Sequence, residues 1–287
     1  MDSSFPRHDG QLSEQRRFLE PSILRRFDLE MRARPAAVAG QRIERDARIV
    51  RTVGAYNMIL FSQLEAADVE ATVAEQAEYF TRLGEDVEWK LYAHDRPAAL
   101  SRVLAEQGFE PDEPETLMLL ELESDALGGT INSDALRKTR TAADLEIRTV
   151  RMPADLAVYL AVTTRAFGKE PQSSADDLAL RLFGHAPESL AMTAFLEGRA
   201  VAAGRLELPR ERAFASLWGG GTDPELRGHG IYRELVRERA EVARARGYPY
   251  LTVDARESSR PILERLGFRA LTTVTAWNLR ATRSGGI

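Results

Sequence analysis

The sequence predicts a mixed α/β protein made of two similar halves. Patterns typical of strands and helices alternate along its 287 residues, a length at which two domains become common. The order of the elements and of the residues that end them also repeats. Each half contains, in order, a strand, a helix ended by Gly, a strand, a helix that begins with Pro and ends at Gly-Phe, and a final strand. We interpret this as an internal duplication, with chance reuse of the same residues as the alternative. The predicted domains are residues 1–123 and 145–287, joined by a linker at 124–144.

In the first half, the elements follow from hydrophobic period and from the residues that end them. Apolar residues between 18 and 31 indicate a helix that is interrupted or restarted at Pro21, and residues 42–64 indicate two or three strands. Asp68 begins a helix and Gly84 ends it, since glycine accepts the left-handed conformation found after helices. The remaining predicted elements are a strand from Val87, a helix over 97–107 closed by Gly108-Phe109, and a strand over 117–122.

The linker is placed where apolar periodicity disappears, around Gly128-Gly129. In the second half, Glu197-Gly198 predicts a hairpin turn between two strands, and Gly247 ends a long amphipathic helix. The predicted strands are 145–150, 191–196, 199–206, 213–222, 250–254 and 271–279, and the predicted helices are 155–167, a segment through 178–182, 229–246 and one that begins at Pro261.

Composition narrows the function classes. A formal net charge of -5 argues against a nucleic-acid or anionic-membrane partner, because such binding depends on clustered cationic side chains. No apolar run is long enough to span a bilayer, and the first ten residues lack the features of a signal peptide, so we expect a cytoplasmic protein. The chain has no cysteine, and its four histidines lack ligand spacing, so no metal site is expected.

One junction carries recognisable chemistry. Pro224 ends a strand, and Arg227-Gly228-His229-Gly230-Ile231 then opens a long helix. The two glycines let the backbone turn tightly, and the first N–H groups of the helix point outward with a partial positive charge. Such a turn suits an anionic diphosphate.

The junction and the later Leu266-Gly267-Phe268 together resemble the GNAT acetyltransferase superfamily, whose acyl-CoA signature is Gln/Arg-x-x-Gly-x-Gly/Ala at a strand-to-helix turn. The resemblance covers Leu145 to Leu279 and implies two modules, each a mixed, mostly antiparallel sheet flanked by helices. It implies that acyl-CoA, with acetyl-CoA as co-substrate, lies where two central strands splay apart. The implied cofactor-binding residues are Thr222, Arg227, Gly228, His229, Gly230, Ile231 and Tyr232. The first module is degenerate, since Glu65-Ala66-Ala67-Asp68 holds no glycine where an anion would bind.

Three residues depart from the family pattern. Glu225 replaces the usual Gln or Arg, which puts a side-chain contact to the cofactor in doubt but leaves the backbone amides unaffected. Tyr232 stands where a small residue is common, and its side chain is expected to turn outward. Leu263 stands where many relatives carry a tyrosine that protonates the departing thiolate, and leucine has no such proton.

The expected base is a carboxylate on a central strand, because an amine must lose its proton to attack. Glu207, at the end of a predicted strand, is the candidate catalytic residue, with a solvated strand-end glutamate as the alternative. Asp254 and Glu257 are comparable, and Ser258 or Ser259 could donate a hydrogen bond. Trp218 is expected in the core rather than in the acceptor pocket, and His229 is expected to face solvent. The glycine run 219–221 indicates either a close approach to the pantetheine arm or a β-bulge.

These residues lead to a first hypothesis, an N-acyltransferase that moves an acetyl or small acyl group from CoA to a small-molecule or peptide amine by direct attack. The alternative is a non-catalytic acyl-CoA-binding sensor or scaffold. A third hypothesis is a tandem protein that transfers acyl or aminoacyl groups and acts on a larger substrate between its halves. Near the end of one strand, a polar-aromatic cluster could then be a substrate or partner surface, although a half-exposed strand explains it equally well; its members are Trp89, Lys90, Tyr92, His94 and Asp95.

Overall fold

A computed structural model describes residues 21–122, 145–169, 174–184 and 188–281. The predicted linker lies outside these ranges. Helix covers residues 21–27 and continues as a π-helical turn, Asp28–Ala33. The remaining helices are α1 (Val69–Leu83), α2 (Leu100–Glu106), α3 (Pro153–Phe167), α4 (Ala175–Phe183), α5 (Ile231–Ala245) and α6 (Arg260–Arg265). The strands are β1 (Gln41–Arg45), β2 (Ile49–Gly54), β3 (Met58–Ser62), β4 (Val87–Tyr92), β5 (Glu110–Pro111), β6 (Glu115–Glu121), β7 (Leu145–Thr149), β8 (Ser189–Leu196), β9 (Arg199–Glu207), β10 (Phe214–Thr222), β11 (Tyr250–Ala255) and β12 (Arg269–Leu279).

The described strands form one mixed sheet in the order β1-β2-β3-β4-β12-β6-β11-β10-β9-β8-β7, with β5 paired to β12. Within these ranges, only β3–β4 and β10–β11 are parallel, and the other pairs are antiparallel. The predicted fold class, a mixed and mostly antiparallel sheet flanked by helices, is confirmed. The longest predicted helix begins two residues late, at Ile231, because Gly230 adopts a left-handed conformation with φ 81°.

The halves share their order of elements and the geometry of their helix ends. In both, three antiparallel strands lead into a helix and then into a strand parallel to the third. Short helices α2 and α6 end alike, because the amide of Phe109 donates to Leu104 and that of Phe268 donates to Leu263, each at 3.0 Å. The glycines before these phenylalanines both have positive φ, as the repeated Gly-Phe pattern predicts.

The last strand of each half lies among the strands of the other half. Strand β6 pairs with β11 over six register positions and with β12, whereas β12 pairs with β4 and β6. The sequence pattern did not predict this exchange. The division into residues 1–123 and 145–287 therefore describes the order along the chain, and these domain boundaries remain a prediction.

The helices cover the two faces of the sheet unequally. Side chains of α1, α2, α5 and α6 pack with alternate strand residues such as Trp89 and Leu251. The opposite face carries the N-terminal helix against Tyr92 and Phe214, and helices α3 and α4 against Ala203. Between these two groups, the opposite face stays open as a cleft of about 1700 Å³. In the described ranges no helix has the length and apolar character needed to cross a bilayer.

Candidate active site

Strands β10 and β11 separate in the middle of the sheet. Their parallel ladder covers only Phe214–Ser216 with Tyr250–Thr252, although both strands continue beyond it. On the other side of β10, the register with β9 shifts between Trp218 and Gly221, so the glycine run forms a β-bulge. The bulge lines the cleft beside the opening, so the two interpretations of this run are compatible. The splayed strands match the expectation from the family resemblance.

The glycine turn stands at the far end of β10. Gly228 and Gly230 have φ of 82° and 81°, and the second is the N-cap of α5. No hydrogen bond among the described residues uses the amide of Gly228, His229 or Gly230 as its donor. The first amides of α5 also lack helical acceptors by position. A Cβ at Gly228 would meet no atom within 4 Å, and Gly228 and Gly230 both line the cleft. The geometry fits an anionic group.

A buried carboxylate fixes the chain just before this turn. Asp223 forms ion pairs with Arg165 at 3.2 Å and with Arg199 at 3.1 Å, and its side chain is 3% exposed. Arg227 donates a hydrogen bond of 2.9 Å to the carbonyl of Ala166 at the end of α3. These contacts hold the turn against α3 and the hairpin β8–β9. The amides are therefore oriented before any ligand binds.

The other predicted cofactor-binding residues contribute unequally. Thr222 is buried, and its Oγ1 has no hydrogen-bond partner in the described chain, so it can serve a ligand. The side chain of Ile231 belongs to the core, and that of His229 is exposed, so both would act through their amides. Glu225 is 81% exposed at its side chain, as its departure from the pattern suggested.

Two aromatic side chains differ from the sequence-based expectation. The expectation that Tyr232 turns outward is wrong, since a Cβ at Gly220 would lie only 3.0 Å from its ring. The bulge glycine leaves the space that this ring fills. Trp218 was expected in the core but is 38% exposed and lines the cleft. Its indole N–H donates to Ser216 Oγ at 2.9 Å, which orients the ring.

Glu207 lies inside the cleft rather than at a solvated strand end. It stands opposite Ser216 on β10 and Ser189 on β8 in the sheet register. The hydroxyl of Ser189 donates to its carboxylate, and Arg205 forms an ion pair with it. The side chain is 17% exposed and faces the same cleft as Trp218. Its catalytic role remains a prediction.

The structure adds a residue from the first half to this site. Lys90 on β4 forms an ion pair with Asp254 on β11, and its Nζ lies 5.2 Å from the centroid of Trp218. Burial works against the charge, but the Asp254 carboxylate outweighs burial and holds the pKa of Lys90 well above its usual value. Lys90 is therefore a fixed cation between the two splayed strands.

The predicted polar-aromatic cluster divides between two environments. Trp89 is fully buried under α1 and α2, whereas Lys90 faces the cleft. Asp95 pairs with the buried Arg32 at 2.7 Å, and His94 contacts Asp28 at 2.9 Å, so both bind the N-terminal helix. The alternation of charged and apolar residues on β4 was the only sequence signal for Lys90, and it did not identify its partner.

Of the remaining candidates, Ser258 and Ser259 line the cleft, whereas Glu257 and Leu263 are not among its lining residues. Leu263 is fully buried with Met118 and Val236, so no proton donor stands at its position. The side chain of Glu257 is 73% exposed and pairs with Arg260. The hydroxyl of Ser259 donates to the carbonyl of Arg256 at 3.0 Å.

Comparison with known proteins agrees with this geometry. Residues 157–268 match the model of the acetyltransferase (GNAT) family, so this segment is a GNAT acetyltransferase domain and the predicted resemblance is confirmed. A stretch of 48 residues is 40% identical to glucosamine 6-phosphate N-acetyltransferase of Trypanosoma brucei brucei, over 17% of this chain and 33% of that protein. The match thus spans about a third of that relative's length.

Solved structures extend the similarity to most of the chain. A GCN5-related N-acetyltransferase from Kribbella flavida has a TM-score of 0.61 and 15% identity, over 93% of this chain and 95% of that one. A tandem GNAT protein from the clavulanic acid biosynthesis pathway has a TM-score of 0.56 and 12% identity, over 87% and 86%. At these identities the likeness shows the fold alone, and that fold is GNAT-like.

Proposed function

We propose that the protein is an N-acyltransferase that moves an acetyl or small acyl group from acyl-CoA to a primary amine. The observation that carries the proposal is the glycine turn at the start of α5, which lines the cleft beside two splayed strands and whose amides have no acceptor among the described residues. Acyl-CoA supplies an activated thioester. The turn at Gly228 and Gly230 would hold its diphosphate, and the bulged end of β10 would line its pantetheine arm.

The transfer is a direct attack in a ternary complex. The amine nitrogen forms a bond to the thioester carbonyl carbon, the carbon–sulfur bond breaks, and sulfur leaves as thiolate. Holding the two reactants together contributes much of the rate. A thiol has a pKa of about 8.5, so its departure needs little help from an acid, and Leu263 at the usual tyrosine position is tolerated.

Removing the ammonium proton is the harder step, because an alkylamine has a pKa of about 10.4. Two carboxylates, Glu207 and Asp254, flank the opening from β9 and β11 on the cleft face. Asp254 forms an ion pair with Lys90, whereas Glu207 forms an ion pair with Arg205 and accepts a hydrogen bond from Ser189. We assign to Glu207 the role of the general base that takes the proton from the ammonium group.

Purified protein mixed with acetyl-CoA and a panel of primary amines is expected to release free thiol. Thiol release is followed with a colorimetric reagent, and CoA binding is measured separately by calorimetry. CoA binding without release for any amine would overturn the catalytic proposal. It would favour an acyl-CoA-binding sensor, for which the absence of an acid at Leu263 is the supporting observation.

Replacing the proposed base tests the assignment of the proton. Glu207→Gln is expected to lower kcat by about 100-fold or more, since positioned general bases contribute about 10²–10⁴-fold. The loss should shrink as pH rises and free amine accumulates. The control is Glu257→Gln, which changes a comparable but mostly exposed carboxylate. An unchanged kcat for Glu207→Gln would remove this residue from the reaction.

A further inference from the structure

Arg181 lines the cleft, and its guanidinium group lacks the acceptor that buried arginines normally have. The Nε and Nη2 atoms of Arg181 on α4 are fully buried and have no hydrogen-bond partner. In the described chain, Arg181 also forms no ion pair. Arg205 on β9 forms its ion pair with Glu207, but none of the hydrogen bonds among the described residues has its guanidinium as donor. Buried donors are nearly always satisfied in folded proteins.

The charges around Arg181 also show that its positive charge is not balanced by nearby carboxylates. Burial lowers the pKa of Arg181, and the positive charge of Arg205 lowers it further, while Glu207 and Asp177 only partly compensate. An arginine nonetheless stays protonated near neutral pH, so the fold keeps two cations close together. Arg205 has a carboxylate partner in Glu207, whereas Arg181 has none among the described residues.

The position of these cations separates them from the glycine turn. Arg205 stands opposite Trp218 in the β9–β10 ladder, and its guanidinium carbon lies 5.9 Å from the centroid of that ring. Thr222, where the turn begins, stands opposite Ala202, which is three residues from Arg205 along β9, or roughly 10 Å at the usual rise of a strand. The guanidinium group of Arg205 therefore lies beside Trp218, away from the glycine turn proposed to hold the diphosphate of CoA. We call this part of the cleft the acceptor side.

We propose that Arg181 and Arg205 bind an oxyanion, a carboxylate or phosphate, carried by the amine acceptor. The inference rests on the proposed function and specifies its substrate class. A planar guanidinium pair matches the oxygens of either group. With the anion held there, the amine nitrogen reaches past Trp218 towards the splayed strands, where Glu207 and Asp254 lie. The acceptor is thus a compact amino acid-like or aminophosphate compound rather than a simple alkylamine.

The test compares three acceptors of similar length: an alkylamine, an amino carboxylate and an aminoalkyl phosphate. The wild-type protein is expected to have at least a tenfold lower KM for one or both acidic amines than for the alkylamine. Arg181→Gln should raise the KM of the acidic amines at least tenfold and leave the alkylamine and the dissociation constant of CoA unchanged. Arg181→Lys should restore part of the preference. The control is Arg210→Gln, since Arg210 is 65% exposed and pairs with Glu188 at 3.6 Å.

Several outcomes would overturn the proposal. These are no preference for acidic amines, an equal effect of Arg181→Gln on all amines, or weaker CoA binding, which would place the anion on the cofactor. A second measurement does not require catalysis. Inorganic phosphate or acetate is expected to change the tryptophan fluorescence of the wild type, with a much smaller change in Arg181→Gln and in Trp218→Phe. If no amine releases thiol but this signal is present, the proposed function fails while the anion site stands.

Discussion

Replacing Gly228 with valine is expected to abolish binding of CoA while the protein stays folded. The backbone at this position has φ 82°, a conformation that a β-branched residue resists. A Cβ there would meet no protein atom within 4 Å, but Gly228 lines the cleft, so the valine side chain would occupy space proposed for the diphosphate. Loss of one or two hydrogen bonds to a charged group costs about 3 kcal/mol. We expect the dissociation constant of CoA to rise about 100-fold or more.

Gly247, at the other end of the same helix, provides a matched control. Its φ is 81°, and a Cβ there also meets nothing within 4 Å. Gly247→Val should therefore carry a similar backbone strain, about 1–2 kcal/mol, without facing a ligand. Calorimetric titration with CoA, together with urea unfolding, separates the two effects. Equal loss of CoA affinity in both variants, or none in Gly228→Val, would contradict the assignment of this turn.

The sequence predicts the turn well because its determinants are local. Glycine adopts a positive φ more readily than other residues, so a glycine at a turn or helix end predicts one. Gly84, Gly228 and Gly247 all have a positive φ. The residues that end α2 and α6 are also local, which is why the repeated Gly-Phe pattern located both. Alternation along β4 places Val87 and Trp89 in one core, although Glu88 and Tyr92 on the other face are buried as well. Most helices and strands follow from such short-range patterns.

The acceptor side of the site could not be predicted in the same way. Lys90 and Asp254 are separated by 164 residues, and their pairing depends on β12 and β6 lying between their strands. The exposure of Trp218 depends on a bulge whose glycines indicate irregular backbone but not its direction. Arg181 is an ordinary arginine of an amphipathic helix in the sequence. Its missing partner becomes visible only when the cleft is assembled.

Removing residues 1–144 is expected to leave a fragment that does not fold. Residues 145–287 retain β11 and β12 but lose β6, the strand between them. Three buried side chains of the core around α5 and α6 leave with the first half: Met118, Leu120 and Leu122. At about 2 kcal/mol each, their loss removes about 6 kcal/mol of stabilisation, which is comparable to the whole stability of many domains.

A longer fragment, 110–287, is the matched control, because it restores β6 without β1–β4. We expect fragment 110–287 to unfold cooperatively in urea and fragment 145–287 to show no cooperative transition. The longer fragment should also bind CoA, since the glycine turn and β10 are intact. Its acyl transfer should be impaired, because Lys90 is absent and Asp254 lacks its partner.

The two fragments also test whether the second half needs β6 from the first half in order to fold and to transfer acyl groups. If fragment 145–287 folded and transferred acyl groups to small amines at the rate of the full chain, the second half would be an independent enzyme. Circular dichroism and thiol release on both fragments decide this. If only the longer fragment folds, then β6 belongs structurally to the half that carries the glycine turn, although β6 precedes that half in the sequence. The functional boundary would then fall before β6 rather than at the linker, and β1–β4 would act through the cation that Lys90 places between the splayed strands.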